Sequence, residues 1–239
     1  MDEKLEQLKI KIFLDGASNA DLREIRESPY IKGLTTNSTL MRKECVKNYQ
    51  DFAKEMVNLL PKLPISFGVC SDDFFEMEEQ ALQIASWGEN VHVKIPIMNT
   101  QRESAYNLIQ KLSAQKIKLN ITAVMTIEQV RLAAMALAKD VPSYISIFAG
   151  RIADTGRDPL TVIKTALNLI KESPSIELIW ASPRELFNIF QANAVGCHII
   201  TVTKEILKKI HLVGYNLEDY SLDTVKMFYN DALEAGFKP

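Results

Sequence analysis

The chain has 239 residues, of which 47% are hydrophobic and 24% charged, and its formal net charge is −2. This composition is that of an ordinary globular protein with a sizeable core, and it excludes intrinsic disorder, a collagen-like repeat and a disulfide-stapled mini-protein. The near-neutral charge gives no basic footprint for nucleic acid or an acidic membrane surface, so neither is an expected partner.

The cysteines and the apolar stretches indicate the compartment. Cys45, Cys70 and Cys197 lie far apart without CxxC spacing, which is typical of reduced intracellular thiols rather than of disulfides or a zinc site. The longest uninterrupted apolar stretch, Leu132 to Ala138, is far shorter than the roughly 20 residues that a transmembrane helix needs. The N-terminal segment MDEKLEQLKIK mixes acidic and basic residues before any apolar run. We therefore expect a cytoplasmic protein.

Short apolar runs rich in Ile, Val and Phe alternate with longer stretches of helical periodicity along the whole chain. The helical segments include Glu44 to Leu60 and Thr126 to Ala138, where apolar residues recur at three- and four-residue spacing. Eight runs are predicted as strands: Lys11 to Asp15, Lys32 to Thr36, Pro64 to Val69, Val91 to Pro96, Lys118 to Thr122, Ser143 to Phe148, Ile176 to Trp180 and Cys197 to Val202.

Eight repeats of strand and helix predict an α/β fold of the (β/α)8, or TIM barrel, type. An open doubly wound sheet is the alternative, but its GxGxxG loop is absent, because the first turn reads Gly16, Ala17, Ser18, Asn19. No linker interrupts the alternation, so we predict a single domain over residues 1–239. An additional C-terminal helix, at about residues 219–236, is expected to close the barrel or to reach a neighbouring subunit.

The strand ends carry polar residues where a TIM barrel builds its active site. Six of the predicted strands end in, or lead into, groups that can converge on the barrel axis. In chain order these groups are Asp15; Thr35, Thr36 and Asn37; Lys94; Asn120 and Thr122; Ser146 and Arg151; and Ser182 and Arg184.

Lys94 interrupts the apolar strand VHVKIPI. Burial of an ammonium without a partner lowers its pKa toward neutrality, and a neutral amine can form a Schiff base with a ketone. The plain alternative is a strand-end lysine that reaches water or pairs with Asp15, but the polar ring favours catalysis. Asp15 could move a substrate hydroxyl proton during carbon–carbon cleavage, or it could simply cap the following helix.

Three neutral side chains at the same strand ends, Asn37, Asn120 and Thr122, suit the hydroxyls of a polyol or a positioned water. None of the three histidines has the spacing of metal ligands, so no metal is expected. His92 lies two residues before Lys94 and faces the same side of the strand, where we expect it to be a packing histidine.

Two arginines follow the sixth and seventh strands, close to the loops where barrels commonly hold phosphate, and each has a serine nearby. Two guanidinium groups converging on one small volume imply an anionic ligand. An ion pair between the first arginine and Asp154 or Asp158 is the alternative. The groups concerned are Arg151 with Ser146, and Arg184 with Ser182.

In this order the strand-end motifs resemble the transaldolase family, and especially its short branch, which contains fructose-6-phosphate aldolase. The most specific elements are the TTN triplet, the K-I-P lysine strand, the N-x-T strand and the S-x-F-x-G-R loop. The resemblance extends from about Lys11 to the final helix. The matching segments are FLDGAS, GLTTNST, VHVKIPI, KLNITAV, SIFAGRIADTG and IWASPRE.

This resemblance implies a class I aldolase-type barrel enzyme of carbohydrate metabolism, such as the pentose phosphate pathway, that uses no metal or organic cofactor. It implies that Lys94 forms the Schiff base, that Asp15 is the acid/base, and that Thr122 helps to position a water for proton transfer. Asn37 and Asn120 would hold the donor sugar. A homo-oligomer, a pentamer or decamer, is also implied, with the last helix packed on a neighbour. The residues implied to hold the sugar phosphate are Ser146, Arg151, Ser182 and Arg184.

Two positions bear on the reaction. Gly68 stands where transaldolases carry a catalytic glutamate and the aldolase branch a glutamine, and neither Cys70 nor the helix-starting Asp72 and Asp73 is an evident substitute. Phe148 stands where the aldolase branch has tyrosine and transaldolases have phenylalanine. We therefore predict transfer of a dihydroxyacetone unit from a ketose phosphate to an aldose phosphate. The alternatives are reversible cleavage that releases dihydroxyacetone, and a sugar-phosphate-binding protein with little turnover.

Overall fold

The computed structural model describes residues 7–18, 25 and 28–237. Its eight parallel strands pair in chain order, and the last pairs with the first, so the sheet is a closed barrel. This confirms the predicted (β/α)8 class. The strands are β1 (Lys11–Asp15), β2 (Ile31–Thr35), β3 (Ile65–Gly68), β4 (Val91–Pro96), β5 (Leu119–Val124), β6 (Ser143–Ile147), β7 (Ile176–Trp180) and β8 (Ile199–Val202).

Helices follow every strand from β2 onward. The connection from β1 to β2, which includes Asn19 of the predicted first turn, lies largely outside the described residues. No helix in the described part of the chain is long and apolar enough to cross a membrane. The helices are α1 (Ser38–Lys43), α2 (Tyr49–Leu59), α3 (Phe74–Ala85), α4 (Tyr106–Ala114), α5 (Ile127–Ala136), α6 (Ala149–Asp154), α7 (Pro159–Ile170), α8 (Phe187–Val195), α9 (Lys204–Leu207) and α10 (Leu217–Glu234), with a 3₁₀ turn at Ile210–Leu212.

Capping residues explain where two of the helices, α5 and α2, begin. Thr126 precedes α5 and forms a capping box with Gln129, so the segment predicted from Thr126 starts as expected. The helix predicted from Glu44 to Leu60 was wrong at its start. Cys45 has a left-handed backbone with φ 54°, and the Asn48 side chain accepts a hydrogen bond from the Asp51 amide, so α2 begins only after Asn48.

The barrel has two apolar layers because successive strand residues point to opposite faces. Most buried residues belong to a continuous layer between the strands and the outer helices. A smaller cluster fills the inside of the barrel and contains Phe13, Tyr144, Ile179, Ala181 and Ile199. The ring edge of Phe13 meets Tyr144 with centroids 5.9 Å apart. This cluster packs the barrel interior, so the barrel is a filled core rather than a pore.

The additional C-terminal helix is present as α10, and it begins at Leu217 because Asn216 accepts hydrogen bonds from the next backbone amides. It buries none of its residues, so it does not close the barrel. Its apolar side chains Val225, Phe228 and Leu233 are each at least 60% exposed. The expected packing of this helix on a neighbouring subunit stays a prediction.

Candidate active site

The carboxyl ends of the strands surround a cavity of about 450 Å³ at the mouth of the barrel. Its wall contains all the predicted site residues except Asn120. Residues that are distant in sequence therefore share one volume, as the fold class requires. The predicted residues on the wall are Asp15, Asn37, Lys94, Thr122, Ser146, Phe148, Arg151, Ser182 and Arg184.

Lys94 lies on β4, and its side chain extends from the strand toward this cavity. Its ammonium nitrogen Nζ donates a 2.8 Å hydrogen bond to the carbonyl oxygen of Thr36. Burial disfavours the charged form and lowers the pKa of Lys94, and this effect outweighs the nearby charge of Asp15, which acts in the opposite direction. Relative to a lysine in water, the site thus shifts Lys94 toward the neutral amine, the form that attacks a carbonyl carbon.

Gly68 faces Lys94 directly, because the two residues are paired in the register of β3 and β4. A Cβ atom built at Gly68 would meet only the Cβ of Lys94, at 3.9 Å, which is an ordinary contact. From outside the barrel, the hydroxyl of Tyr49 donates a 2.8 Å hydrogen bond to the Gly68 carbonyl oxygen. The cavity wall thus lacks a side chain next to the lysine, although the backbone leaves room for one.

Asp15 ends β1 and is held by hydroxyl and amide donors. The Thr35 hydroxyl donates to its Oδ1 at 2.8 Å, and the Asn37 amide nitrogen lies 3.4 Å from its Oδ2. The Thr35 and Thr201 hydroxyl oxygens are 2.5 Å apart. Because Thr35 gives its one hydroxyl proton to Asp15, Thr201 donates in this second bond. Asn37 also caps α1 by accepting from the Leu40 amide. These bonds fix the direction of the carboxylate within the cavity.

Asn120 lies beneath the cavity rather than on its wall. It is fully buried, and its amide nitrogen donates to the Ser66 hydroxyl at 3.0 Å. Its amide oxygen accepts from the Ser146 hydroxyl at 2.7 Å. Ser146 is also a wall residue. Asn120 therefore orients a hydroxyl at the cavity floor, and its own amide is already engaged on both sides.

Thr122 lies on β5, next to the strand of Lys94, and Phe148 directly follows β6. Thr122 faces Pro96 in the register of β4 and β5. The next residue, Ala123, has a left-handed backbone with φ 61°, and the pairing of β5 with β6 shifts at this point. Phe148 follows β6 and packs on the interior cluster, while the guanidinium carbon of Arg151 lies 5.9 Å from its ring centroid.

The two arginines lie at the solvent side of the cavity. The alternative in which Arg151 pairs with a nearby aspartate is not what the structure contains, since the Asp154 carboxylate accepts two hydrogen bonds from Arg184. Asp158 instead caps α7 by accepting from the Leu160 amide. Both arginines line the cavity, and Arg184 uses only one edge of its guanidinium for Asp154.

Neither the interior histidine nor the acidic pair after β3 joins this site. His92 is 5% exposed and stacks on Tyr144 with ring centroids 4.2 Å apart, and burial lowers its pKa to about 4. Asp72 accepts from Thr100, and Asp73 caps α3. In the described residues no group of three His, Cys, Asp or Glu side chains is arranged to hold a metal ion.

Sequence reasoning missed the contribution of β8. Thr201 and Thr203 are both on the cavity wall, and Thr201 takes part in the hydrogen bonds around Asp15 through Thr35. The signal was present, because counting every second residue from the inward-facing Ile199 leads to both threonines.

The comparisons with known proteins agree with this geometry. The family model described as transaldolase/fructose-6-phosphate aldolase matches residues 12–237. A "Probable transaldolase" of Thermoanaerobacter sp. is 33% identical over 230 residues, which is 96% of this chain and 100% of that protein. A "Probable transaldolase" of Dehalococcoides mccartyi is 32% identical over 202 residues, or 84% of this chain and 90% of the relative. The match to the family model and the closed barrel fold together show that the chain belongs to the transaldolase/fructose-6-phosphate aldolase family.

Proposed function

We propose that the protein is a transaldolase-type enzyme that transfers a dihydroxyacetone unit from a ketose phosphate to an aldose-phosphate acceptor. The observation that carries this proposal is Lys94, a lysine with a lowered pKa on the wall of a cavity that also contains a carboxylate. Such an amine attacks ketones, and family membership supports the same class of reaction. The lysine itself supplies the electron sink, so the proposal includes no cofactor.

In the proposed reaction, the neutral Nζ of Lys94 attacks the C2 carbonyl carbon of the donor. Loss of water, with one proton taken up from solvent and returned when the last imine is hydrolysed, leaves a protonated imine. Asp15 takes the proton of the C4 hydroxyl while the C3–C4 bond breaks. The electron pair of that bond moves into the imine to give an enamine, and an aldose phosphate leaves. The enamine carbon then attacks the acceptor carbonyl, whose oxygen takes a proton from Asp15, and water finally hydrolyses the new imine.

The neutral side chains of the cavity are assigned to the sugar and to water. Asn37 is assigned to the donor hydroxyls, and its amide already lies beside the Asp15 carboxylate. Thr122 is assigned to the water that carries protons to and from the imine. Asn120 was predicted to hold the donor as well, and its burial supports an indirect role in which it orients the Ser146 hydroxyl.

The phosphate is assigned to the arginine side of the cavity. Arg151 and Arg184 both line the wall, as do Ser182 and Ser146. The Ser182 hydroxyl can serve as a neutral donor, whereas the Ser146 hydroxyl gives its proton to Asn120 and can only accept. Hydrogen bonds from guanidinium groups to a phosphate are charge-assisted and geometrically specific. A phosphate here would fix the far end of an extended sugar while its ketone reaches Lys94.

Single residues bear on two alternatives to transfer, which are cleavage and sugar-phosphate binding with little turnover. Phe148, the aromatic residue on the wall, supports transfer over cleavage that releases dihydroxyacetone, because the resemblance associates phenylalanine with transfer. Gly68 supports a second candidate, a sugar-phosphate-binding protein with little turnover, since the β3 position paired with Lys94 carries no side chain. Such a binding protein would keep the ligand cavity but would lack a side chain needed to transfer protons during turnover.

Product analysis separates these activities. The enzyme is incubated with fructose 6-phosphate, with and without a four-carbon aldose phosphate, and free dihydroxyacetone and the new ketose phosphate are measured. Transfer gives the new ketose only when the acceptor is present, whereas cleavage gives dihydroxyacetone without it. Tight binding without either product would favour the binding protein. Lys94→Arg is the inactive comparison, and Lys118→Arg is a matched control on the neighbouring chain segment.

We extend the proposal to assembly and location. The exposed apolar side chains of α10 support a homo-oligomer, proposed as a pentamer or decamer, in which this helix packs on a neighbour. A cytoplasmic enzyme of the pentose phosphate pathway is consistent with sugar-phosphate substrates. Size-exclusion chromatography with light scattering tests the assembly, and a monomer at micromolar concentration would contradict it.

A further inference from the structure

Asp154 occupies a position that the proposed reaction leaves unexplained. Its carboxylate accepts a 3.0 Å hydrogen bond from Nε of Arg184 and a second, shorter one from Nη2 of the same guanidinium. The hydrogen bonds from Arg184 are the largest cause that lowers the pKa of Asp154. The charges of Arg184 and Arg151 lower it further. A single carboxylate therefore lies within electrostatic reach of both arginines of the cavity wall.

The close contact that brings Arg184 to this carboxylate depends on Gly150. A Cβ atom built there would come within 1.5 Å of the Ser182 carbonyl oxygen and 3.2 Å of Nε of Arg184. Gly150 and Asp154 are four residues apart on α6, so they lie on one face of the helix. The Arg184 side chain therefore runs over the bare backbone of Gly150 and ends on Asp154.

Arg184 is held at both ends in this arrangement. Its backbone amide donates a 2.7 Å hydrogen bond to the side-chain oxygen of Asn188, and its guanidinium is held by Asp154. Ser182, two residues earlier, has a left-handed backbone with φ 60°. A guanidinium has five N–H groups in a planar fork, and the Asp154 bonds use two of them, so three remain for a ligand.

We propose that Asp154 is a positioning residue that orients Arg184 toward the phosphate of the substrate and so determines selectivity for phosphorylated over unphosphorylated donors, with Gly150 allowing the close approach. This inference rests on the proposed function. The opposite role is an aspartate that competes with phosphate for Arg184. The positioning role is favoured over competition, because the Asp154 carboxylate contacts the edge of the Arg184 guanidinium that carries Nε and leaves the Nη1 group open.

The test compares two donors in wild type and in Asp154→Asn. Borohydride reduces the Lys94 imine to a stable amine, so the donor concentration that gives half-maximal adduct is measured for fructose 6-phosphate and for dihydroxyacetone. The ratio is the half-maximal concentration of fructose 6-phosphate divided by that of dihydroxyacetone. We expect this ratio to rise about fivefold in Asp154→Asn, the upper range for an exposed bidentate pair. An unchanged ratio, or a ratio that falls because phosphate binds more tightly, would overturn the inference.

Two further variants complete the design. Glu128→Gln removes another exposed carboxylate that accepts two hydrogen bonds from an arginine, Arg131. Glu128 lies on α5 and is not a wall residue of the cavity, so the ratio in this variant should equal that of wild type. Gly150→Ala should raise the ratio more than tenfold, because the Ser182 carbonyl must move, and its melting temperature reports whether it folds.

A second readout separates the failure of this inference from the failure of the proposed function. Inorganic phosphate is titrated into wild type and Asp154→Asn by calorimetry, which does not depend on Lys94. A fivefold weaker Kd in Asp154→Asn supports the inference even if no adduct forms in wild type, in which case the proposed function alone has failed. An adduct in wild type together with an equal Kd in both proteins overturns the inference and leaves the proposed function intact.

Discussion

The two sides of the cavity differ in how far their charged side chains are exposed to solvent. On one side, Lys94 and Asp15 are partly buried among strand residues, and burial lowers the pKa of the amine. On the other side, the side chains of Arg184 and Asp154 are 49% and 52% exposed and pair in solvent. In the proposed function, the first environment would supply the reactive amine, and the second would attract the anionic end of the substrate. Chemistry and substrate recognition would then occupy different dielectric environments within one cavity.

The largest expected effect concerns the buried side. Asp15→Asn removes the carboxylate but keeps the hydrogen-bonding shape that Thr35 contacts. We expect turnover of fructose 6-phosphate to fall by about 10²–10⁴-fold, the range typical of one general acid/base. Imine formation should persist, because it needs mainly the neutral amine. Loss of turnover and of the trapped adduct to the same extent would indicate that Asp15 acts on Lys94 rather than on the substrate.

The exposed side should separate donors by charge. Arg151→Ala and Arg184→Ala should each weaken phosphorylated donors by about 1.5–3 kcal/mol, the usual contribution of a charge-assisted hydrogen bond, and affect dihydroxyacetone far less. The double variant should lose less than the sum, because both groups would contact one phosphate. KM values for both donors provide the measurement, and equal losses for both would contradict a phosphate role.

The interior beneath the two sides should affect stability rather than activity. His92 is buried with a pKa of about 4, whereas an unfolded histidine has a pKa near 6.5. Between these values the unfolded state binds more protons, so stability falls as the pH falls through this window. Unfolding free energies from urea titrations should drop by about 2 kcal/mol from pH 7 to pH 5 through this residue. The drop should disappear in His92→Phe, and its persistence there would exclude His92 as its source.

The smallest expected effect is a gain at Gly68. The backbone has room for a Cβ beside Lys94, so Gly68→Glu should fold, although an unpaired carboxylate has a desolvation cost. If the proton relay of the native enzyme is incomplete, turnover should rise by about tenfold, below the full range of one acid/base group. Unchanged turnover in a folded variant, beside a fast wild type, would show that another group already serves the relay.

Much of this architecture could be predicted from the chain alone. The bounds of β4 follow from an apolar run that ends at Pro96, and Lys94 is conspicuous because it interrupts that run. The burial of Asn120 could not be predicted, because sequence gives the face of a strand residue but not its height along the barrel axis. The ion pair between Asp154 and Arg184 could not be predicted either, since it depends on the close approach of α6 and the loop after β7 at Gly150.

The most direct test of the central claim is a peptide mass spectrum of the enzyme after borohydride reduction with fructose 6-phosphate. The account predicts a three-carbon adduct on Lys94, absent in Lys94→Arg because a guanidinium stays protonated and cannot form the imine, and present in Lys118→Arg. An adduct on Lys118 or any other lysine, or the absence of any adduct in an enzyme that turns over its substrate, would contradict it.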